Sequence, residues 1–247
     1  MSRSRGFSRR LLLAVDARGY GGRTDTGQAI LQESLASVLD AAARWSGLER
    51  ESWERQAAGD GELCVLPPSE PEPRVVDDFV RELAAELERY NESRTPAYHL
   101  RLRLAIHHGA AMRAEMGYTG QGVVQVNRLV DCVPVRSLLK DERVCLAVIL
   151  SDNVFQDIVV QGHTSLRYKD FKATTVTNKE YTKRAWLRAP GWDVGALQVV
   201  EGPLPPPSAR SEQPARPQAP MGTQIRSVHT EFHERVIAEQ INIGGIA

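Results

Sequence analysis

The sequence predicts an α+β fold, a mixed sheet with helices packed on it. Three observations carry this. Segments with apolar residues at helical spacing alternate with short strand-like runs, in the order β-α-β-β-α-β-α-β-α-β-β. The 247 residues are ample for one core. Seven prolines with Ser, Gln and Arg fill residues 201–222, where no core can form. A domain over 9–200, a linker over 201–222 and a short interaction motif over 223–247 are therefore expected.

Each element has its own signal. Leu11–Val15 is a short apolar run, expected as a buried strand. Thr26–Trp45 places Ile30, Leu31, Leu35, Val38, Leu39 and Ala42 at helical spacing. Trp53–Ala57 and Glu62–Leu66 flank Gly59-Asp60-Gly61, a hairpin signal. Val75–Tyr90 predicts a helix with Val76, Phe79, Val80, Leu83 and Leu87 on one face and acids on the other. Leu100, Leu102, Leu104 and Ile106 alternate with His99, Arg101, Arg103 and Ala105, the pattern of a half-buried strand. Val123–Asp131 begins a helix that Pro134 interrupts or ends. Val144–Leu150 is a strand, Asp152–Val160 a helix started by Ser151 or Asp152, and Thr174–Thr177 and Arg184–Arg188 are late strands.

Thirty-one basic and 31 acidic residues give zero formal charge, which argues against nucleic acid or an anionic membrane bound through bulk charge. The total hides blocks: +5 over residues 1–24, −8 over 49–92 and +5 over 163–188. No apolar run is long enough to span a membrane. Arg9-Arg10 before Leu11-Leu12-Leu13 superficially looks like an export signal, but the run stops at Asp16. Cys64, Cys132 and Cys145 are widely spaced in apolar stretches, as buried reduced thiols are. A cytoplasmic protein is expected.

Two carboxylates sit where strands end in glycine-containing turns: Asp16 before Ala17-Arg18-Gly19-Tyr20, and Asp60 between Gly59 and Gly61. On neighbouring strands they converge, and converging carboxylates bind Mg²⁺ with phosphate and water completing the octahedron. Taken singly, Asp16 also fits a turn cap, and Asp60 plain hairpin chemistry. His107-His108 are adjacent on a strand and face opposite sides, so a zinc site is not expected there. His229 and His233 stand at i, i+4 without further ligands, as on a solvated helix face.

Together these motifs resemble the class III nucleotidyl (adenylate/guanylate) cyclase catalytic domain. Asp16-Ala17-Arg18-Gly19-Tyr20 keeps the Asp, Gly and aromatic of the family's Phe-x-Asp-Ile-x-Gly-Phe-Thr. Gln56 to Gly61 keeps its Gly-Asp-Gly, and Ala105-Ile106-His107-His108-Gly109 its Gly-Ile-His-x-Gly. Gly120 to Leu129 keeps the Gly, Val, Arg and Leu of Gly-x-x-Val-Asn-x-Ala-x-Arg-Leu. Lys179 stands roughly where the family has a late Lys-Gly strand. The resemblance spans about residues 9–190, and Ala185–Gly191 resembles the ending of a cyclase-homology group in actinomycete-type genomes.

The resemblance implies a ferredoxin-like α+β core that works as a homodimer, with sites across the interface. It implies conversion of a nucleoside triphosphate to a 3′,5′-cyclic nucleotide and pyrophosphate, in signalling or defence. Asp16 and Asp60 would hold two Mg²⁺ or Mn²⁺ ions, Arg128 would stabilise charge at phosphorus, and Lys179 would neutralise the outer phosphates. The departures concern the base and ribose. The family's base-reading residue is Gln56, its second is Gly117, and its Asn is Val124, with Asn127 next to Arg128 as a possible substitute. Two functions stay open: a cyclase with altered base preference, or a degenerate module that binds a nucleotide or dimerises and signals through its tail.

The tail, 229–247, is apolar and β-branched. Gln240-Ile241-Asn242-Ile243-Gly244-Gly245 is short, uncharged and proline-free, like a stacking β segment. It weakly resembles the Ile-Gln-Ile-Gly tetrad of RHIM-type amyloid signalling motifs. The alternatives are self-assembly and an edge strand added to its own or a partner's domain.

Overall fold

Eight strands form one sheet in the order β2-β3-β1-β4-β6-β8-β7, with β5 attached to β4. The strands are β1 (Ser8–Ala17), β2 (Glu54–Ala58), β3 (Gly61–Val65), β4 (Leu102–Ala114), β5 (Gly117–Thr119), β6 (Leu146–Ser151), β7 (Lys172–Asn178) and β8 (Tyr181–Arg188). Only β4 and β6 run parallel; the other pairs are antiparallel. The helices are α1 (Asp25–Trp45), α2 (Glu72–Arg74), α3 (Val80–Glu92), α4 (Gln121–Val130), α5 (Val133–Leu138) and α6 (Asp152–Val154). The computed structural model describes residues 8–178 and 181–201, all within one compact unit. Lys179, residues 202–222 of the expected linker and the expected 223–247 motif lie outside the described residues.

Helices cover both faces, which explains β1. Successive side chains of a strand point to opposite faces. Leu11, Leu13 and Val15 join a core with Leu31 and Leu35 of α1 and Leu83 and Leu87 of α3. Leu12 and Ala14 join a second core with Val126 and Leu129 of α4 and Val135 of α5. A strand buried on both faces reads as a continuous apolar run, and Leu11–Val15 is one.

The same geometry corrects the expectation for β4. It is a central strand between β1 and β6, not a half-buried one: Leu104, Ala105 and Ile106 are all fully buried. Ala105 meets the α4 side, where small side chains leave room for the helix. The predicted Val75–Tyr90 helix is a π-helical turn over Val75–Phe79 running into α3, and two of its acids, Asp77 and Glu86, are buried rather than solvated. Pro134 does not end α4, which stops at Val130; it sits in the first turn of α5, where its missing N–H costs nothing. Of the cysteines, Cys64 and Cys132 are buried thiols and Cys145 is half-buried. At the β6–β8 end, Trp186 stacks on Phe155 at 3.8 Å between centroids, and its Nε1–H donates to Asp152 at 2.8 Å.

Candidate active site

The strand ends bring Asp16 and Asp60 together. Asp16 lies opposite Gly61 in the β1–β3 ladder, and the Asp60 carbonyl accepts the Ala17 N–H at 2.8 Å. Gly61 is what permits this approach: a Cβ there would lie 2.3 Å from the Val15 carbonyl oxygen. Gly59 closes the β2–β3 turn at φ +58° and Gly19 leaves β1 at φ +84°, both in the left-handed region. Gln32 of α1 locks the arrangement, donating to the Gly59 carbonyl at 2.8 Å and to the Tyr20 hydroxyl at 3.0 Å.

Three arginines and a third carboxylate surround the pair. Asp60 lines a cavity of about 270 Å³ with Arg18, Tyr20, Arg103 and Arg136. Arg103 of β4 donates to the Asp16 carboxylate through Nε at 2.9 Å and again through a second nitrogen. It also reaches Asp131 at 3.2 Å, and Arg136 pairs with Asp131 at 3.4 Å. Burial nevertheless raises the Asp16 carboxyl above the ordinary range; Asp60 and Asp131 push the same way and Arg103 opposes them. The carboxylate therefore carries a real desolvation cost that an added cation relieves.

Asp16 and Asp60 offer hard oxygens, the donors Mg²⁺ and Mn²⁺ take, and such ions are often held by one or two carboxylates plus substrate phosphates. The pair fits that use, with Arg103 as the resident counter-charge to be shared. Among the described residues no group of three or more His, Cys, Asp and Glu forms a fuller ligand set.

The other expected residues lie outside that cavity. Gln56 and Gly117 are brought into contact: the Gln56 Oε1 accepts the Tyr118 N–H at 3.3 Å, and a Cβ on Gly117 would lie 2.2 Å from that oxygen. The Gln56 amide thus fills the space that a side chain at 117 would take. Asn127 donates to the Val123 carbonyl one turn back at 2.8 Å, a bond within its own helix. Arg128 stands in the last turn of α4, and Val124, one turn earlier, is 40% exposed. None of Gln56, Asn127 and Arg128 lines the cavity that holds Asp60. Arg103 was missed from sequence because an arginine alternating with leucines carries the same signal as any solvated strand face, and Arg136 because it sits in a short helix, α5, whose sequence does not say which strand ends it meets.

No family model matches the sequence, and no curated protein matches it. Solved structures do. An adenylate/guanylate cyclase/hydrolase from Silicibacter pomeroyi is 19% identical with a TM-score of 0.51, over 75% of this chain and 99% of its own. The guanylate cyclase domain of RhGC from Catenaria anguillulae, solved in complex with GTP, is 15% identical with a TM-score of 0.50, over 74% and 98%. A bacterial light-regulated adenylyl cyclase is 12% identical with a TM-score of 0.53, over 78% of this chain and 56% of its own. The chain has the fold of adenylate/guanylate cyclase catalytic domains.

Proposed function

We propose that this protein is a metal-dependent nucleotidyl cyclase that converts a nucleoside triphosphate to a 3′,5′-cyclic nucleotide and pyrophosphate. The observation that carries this reading is the pairing of Asp16 with Asp60 at a glycine-built strand end beside an arginine-lined cavity. In the reaction the ribose 3′-oxygen bonds to the α-phosphorus, the bond from that phosphorus to the oxygen bridging the β-phosphate breaks to release pyrophosphate, and the hydroxyl proton passes to solvent water. Asp16 and Asp60 would hold Mg²⁺ or Mn²⁺, which would supply positive charge for the reaction. Arg18, Arg103 and Arg136 set a positive field for the polyphosphate, where preorganised charge is worth most. Gln56 meets the base through an amide that both donates and accepts.

Arg128 and Lys179 complete the site from a second copy of the chain, which is why a homodimer belongs to the proposal. The tail couples the domain to a partner or to itself through residues 229–247. Incubation with each of the four nucleoside triphosphates and Mn²⁺ or Mg²⁺ tests the reading, with cyclic product and pyrophosphate as readouts. Asp60→Asn should remove at least about 10²-fold of the activity, the scale of losing a positioned electrostatic group. Absence of product from all four substrates, or full activity in Asp60→Asn, defeats it.

One observation favours a second reading. Arg103 already satisfies Asp16, and Gly117 and Val124 lack the side chains that would hold base and ribose. A catalytically degenerate module would bind nucleotide or dimerise without turnover. Nucleotide binding without product would select it.

A further inference from the structure

A second cavity, of about 450 Å³, lies at the other end of the sheet. Arg9 on its wall is seven residues from Asp16 along β1, roughly 23 Å at strand rise. Late β4, the end of β6, the start of β8 and the first turn of α4 converge on it. We propose that it is a binding site for a polyphosphate anion, either inorganic or the phosphate tail of a nucleotide.

Three cations line it: Arg9, Lys183 and Arg184. None of them makes an ion pair with another described residue; Arg184 lies over the Trp186 ring at 4.4 Å. Asp152 is the one acid among the described lining residues, and its Oδ1 is engaged by the Trp186 indole. The charge facing the cavity is therefore net positive.

The first turn of α4 supplies backbone donors. Gly120 stands at its N-terminus at φ +126° with no side chain capping the helix, so the first amides have no intrahelical acceptor. Gly122 and Gly109 press the helix against β4: a Cβ on Gly122 would lie 2.7 Å from the Ala110 carbonyl oxygen, and one on Gly109 2.8 Å from the Gly122 Cα. A glycine-built turn leading into a helix N-terminus is an arrangement suited to phosphate.

An independent sign comes from His107. Its side chain lines the cavity, the residue is 6% exposed, and its Nδ1 has no hydrogen-bond partner among the described residues. With the ring proton on Nδ1, His107 holds a donor without an acceptor, and a bound oxyanion accepts from it. Burial pushes the His107 imidazole down to about 4, Arg9 and Lys183 add to that push, and a hydrogen bond with Asn153 opposes it.

The site is independent of the cyclase reading: a chain that makes no cyclic nucleotide would still bind. The test is calorimetric titration of the full chain with inorganic triphosphate and with a nucleoside triphosphate, at low salt and with chelator present. The proteins are wild type, Arg9→Gln/Lys183→Gln and Arg44→Gln/Arg89→Gln, which removes two exposed cations that line neither cavity. Both cavity substitutions are at exposed positions, and unchanged thermal unfolding checks that each variant folds. Wild type should bind inorganic triphosphate without a divalent ion. The cavity variant should bind at least about tenfold more weakly, and the Arg44→Gln/Arg89→Gln control as wild type does. A nucleotide that binds about as tightly as inorganic triphosphate supports recognition of phosphate itself. The proposal is overturned if wild type does not bind inorganic triphosphate, if the cavity variant binds equally well, or if the control loses binding to the same extent.

Discussion

Asp16 and Asp60 were legible as residues, but their company was not. Both stand at strand ends beside glycines, a local signal that any reading along the chain can find. Arg103 is 87 residues from Asp16 and meets it only because β1 and β4 pair antiparallel, Asp16 opposite Arg103. Arg103→Met leaves the partly buried Asp16 beside Asp60 without its counter-charge. It should destabilise the metal-free protein by about 2–3 kcal/mol at neutral pH. Mn²⁺ should then raise the melting temperature of the variant more than that of wild type. An equal response would mean that the two carboxylates are not a metal site. His107 offers a separate test at this scale. Its folded value lies below that of the unfolded chain, so the native state binds the proton less readily. The contribution is complete above about pH 6.5 and is lost as pH falls towards 4, up to about 3 kcal/mol. His107→Gln should flatten that part of the stability profile, measured by denaturant unfolding at pH 7 and pH 4.5.

Among the elements, continuous apolar runs marked the strands covered on both sides, β1 and β6, whereas the alternation in β4 did not. The alternation in β4 fits a half-buried strand because Ala105 is small and reads as neutral. Its burial follows from α4 lying over it, which no window of ten residues contains. β5 has three residues and no pattern of its own; it exists because β4 extends to Ala114 and the chain turns back on it. The β1–β3 approach gives the sharpest element-scale prediction. Gly61→Ala would set a Cβ against the Val15 backbone and force β3 away from β1. The expected cost is about 2–3 kcal/mol of stability together with loss of any activity that depends on Asp60. Calorimetric unfolding and the cyclase assay check the two parts separately.

For the molecule as a whole, the proposed site is divided between copies. Asp16 stands at the end of β1 and Asp60 in the turn beside it, while Arg128 does not line the cavity that Asp60 borders. If two copies complete each other, Asp60→Asn and Arg128→Ala are each inactive alone. Mixed in equal amounts and allowed to exchange, they should recover about one quarter of wild-type activity, because half the dimers carry one intact site of two. No recovery, with dimer exchange shown by a labelled subunit, would place the whole site within one chain. The opposed charge blocks acquire locations at this scale. The acidic 49–92 block holds Asp60, and the basic ends of the domain supply Arg9, Lys183 and Arg184 to a different cavity.

By itself the sequence determined the α+β class and the order of the main elements, because both are written in local spacing and turn chemistry. Tertiary structure alone decided that Arg103 guards Asp16, that Gln56 fills the space beside Gly117, and that Arg9, His107 and Lys183 share a cavity. The physical reason is common to all three. Strand pairing and helix packing join residues separated by tens of positions, and a side chain's charge and burial take their chemical meaning from neighbours that only the closed sheet supplies.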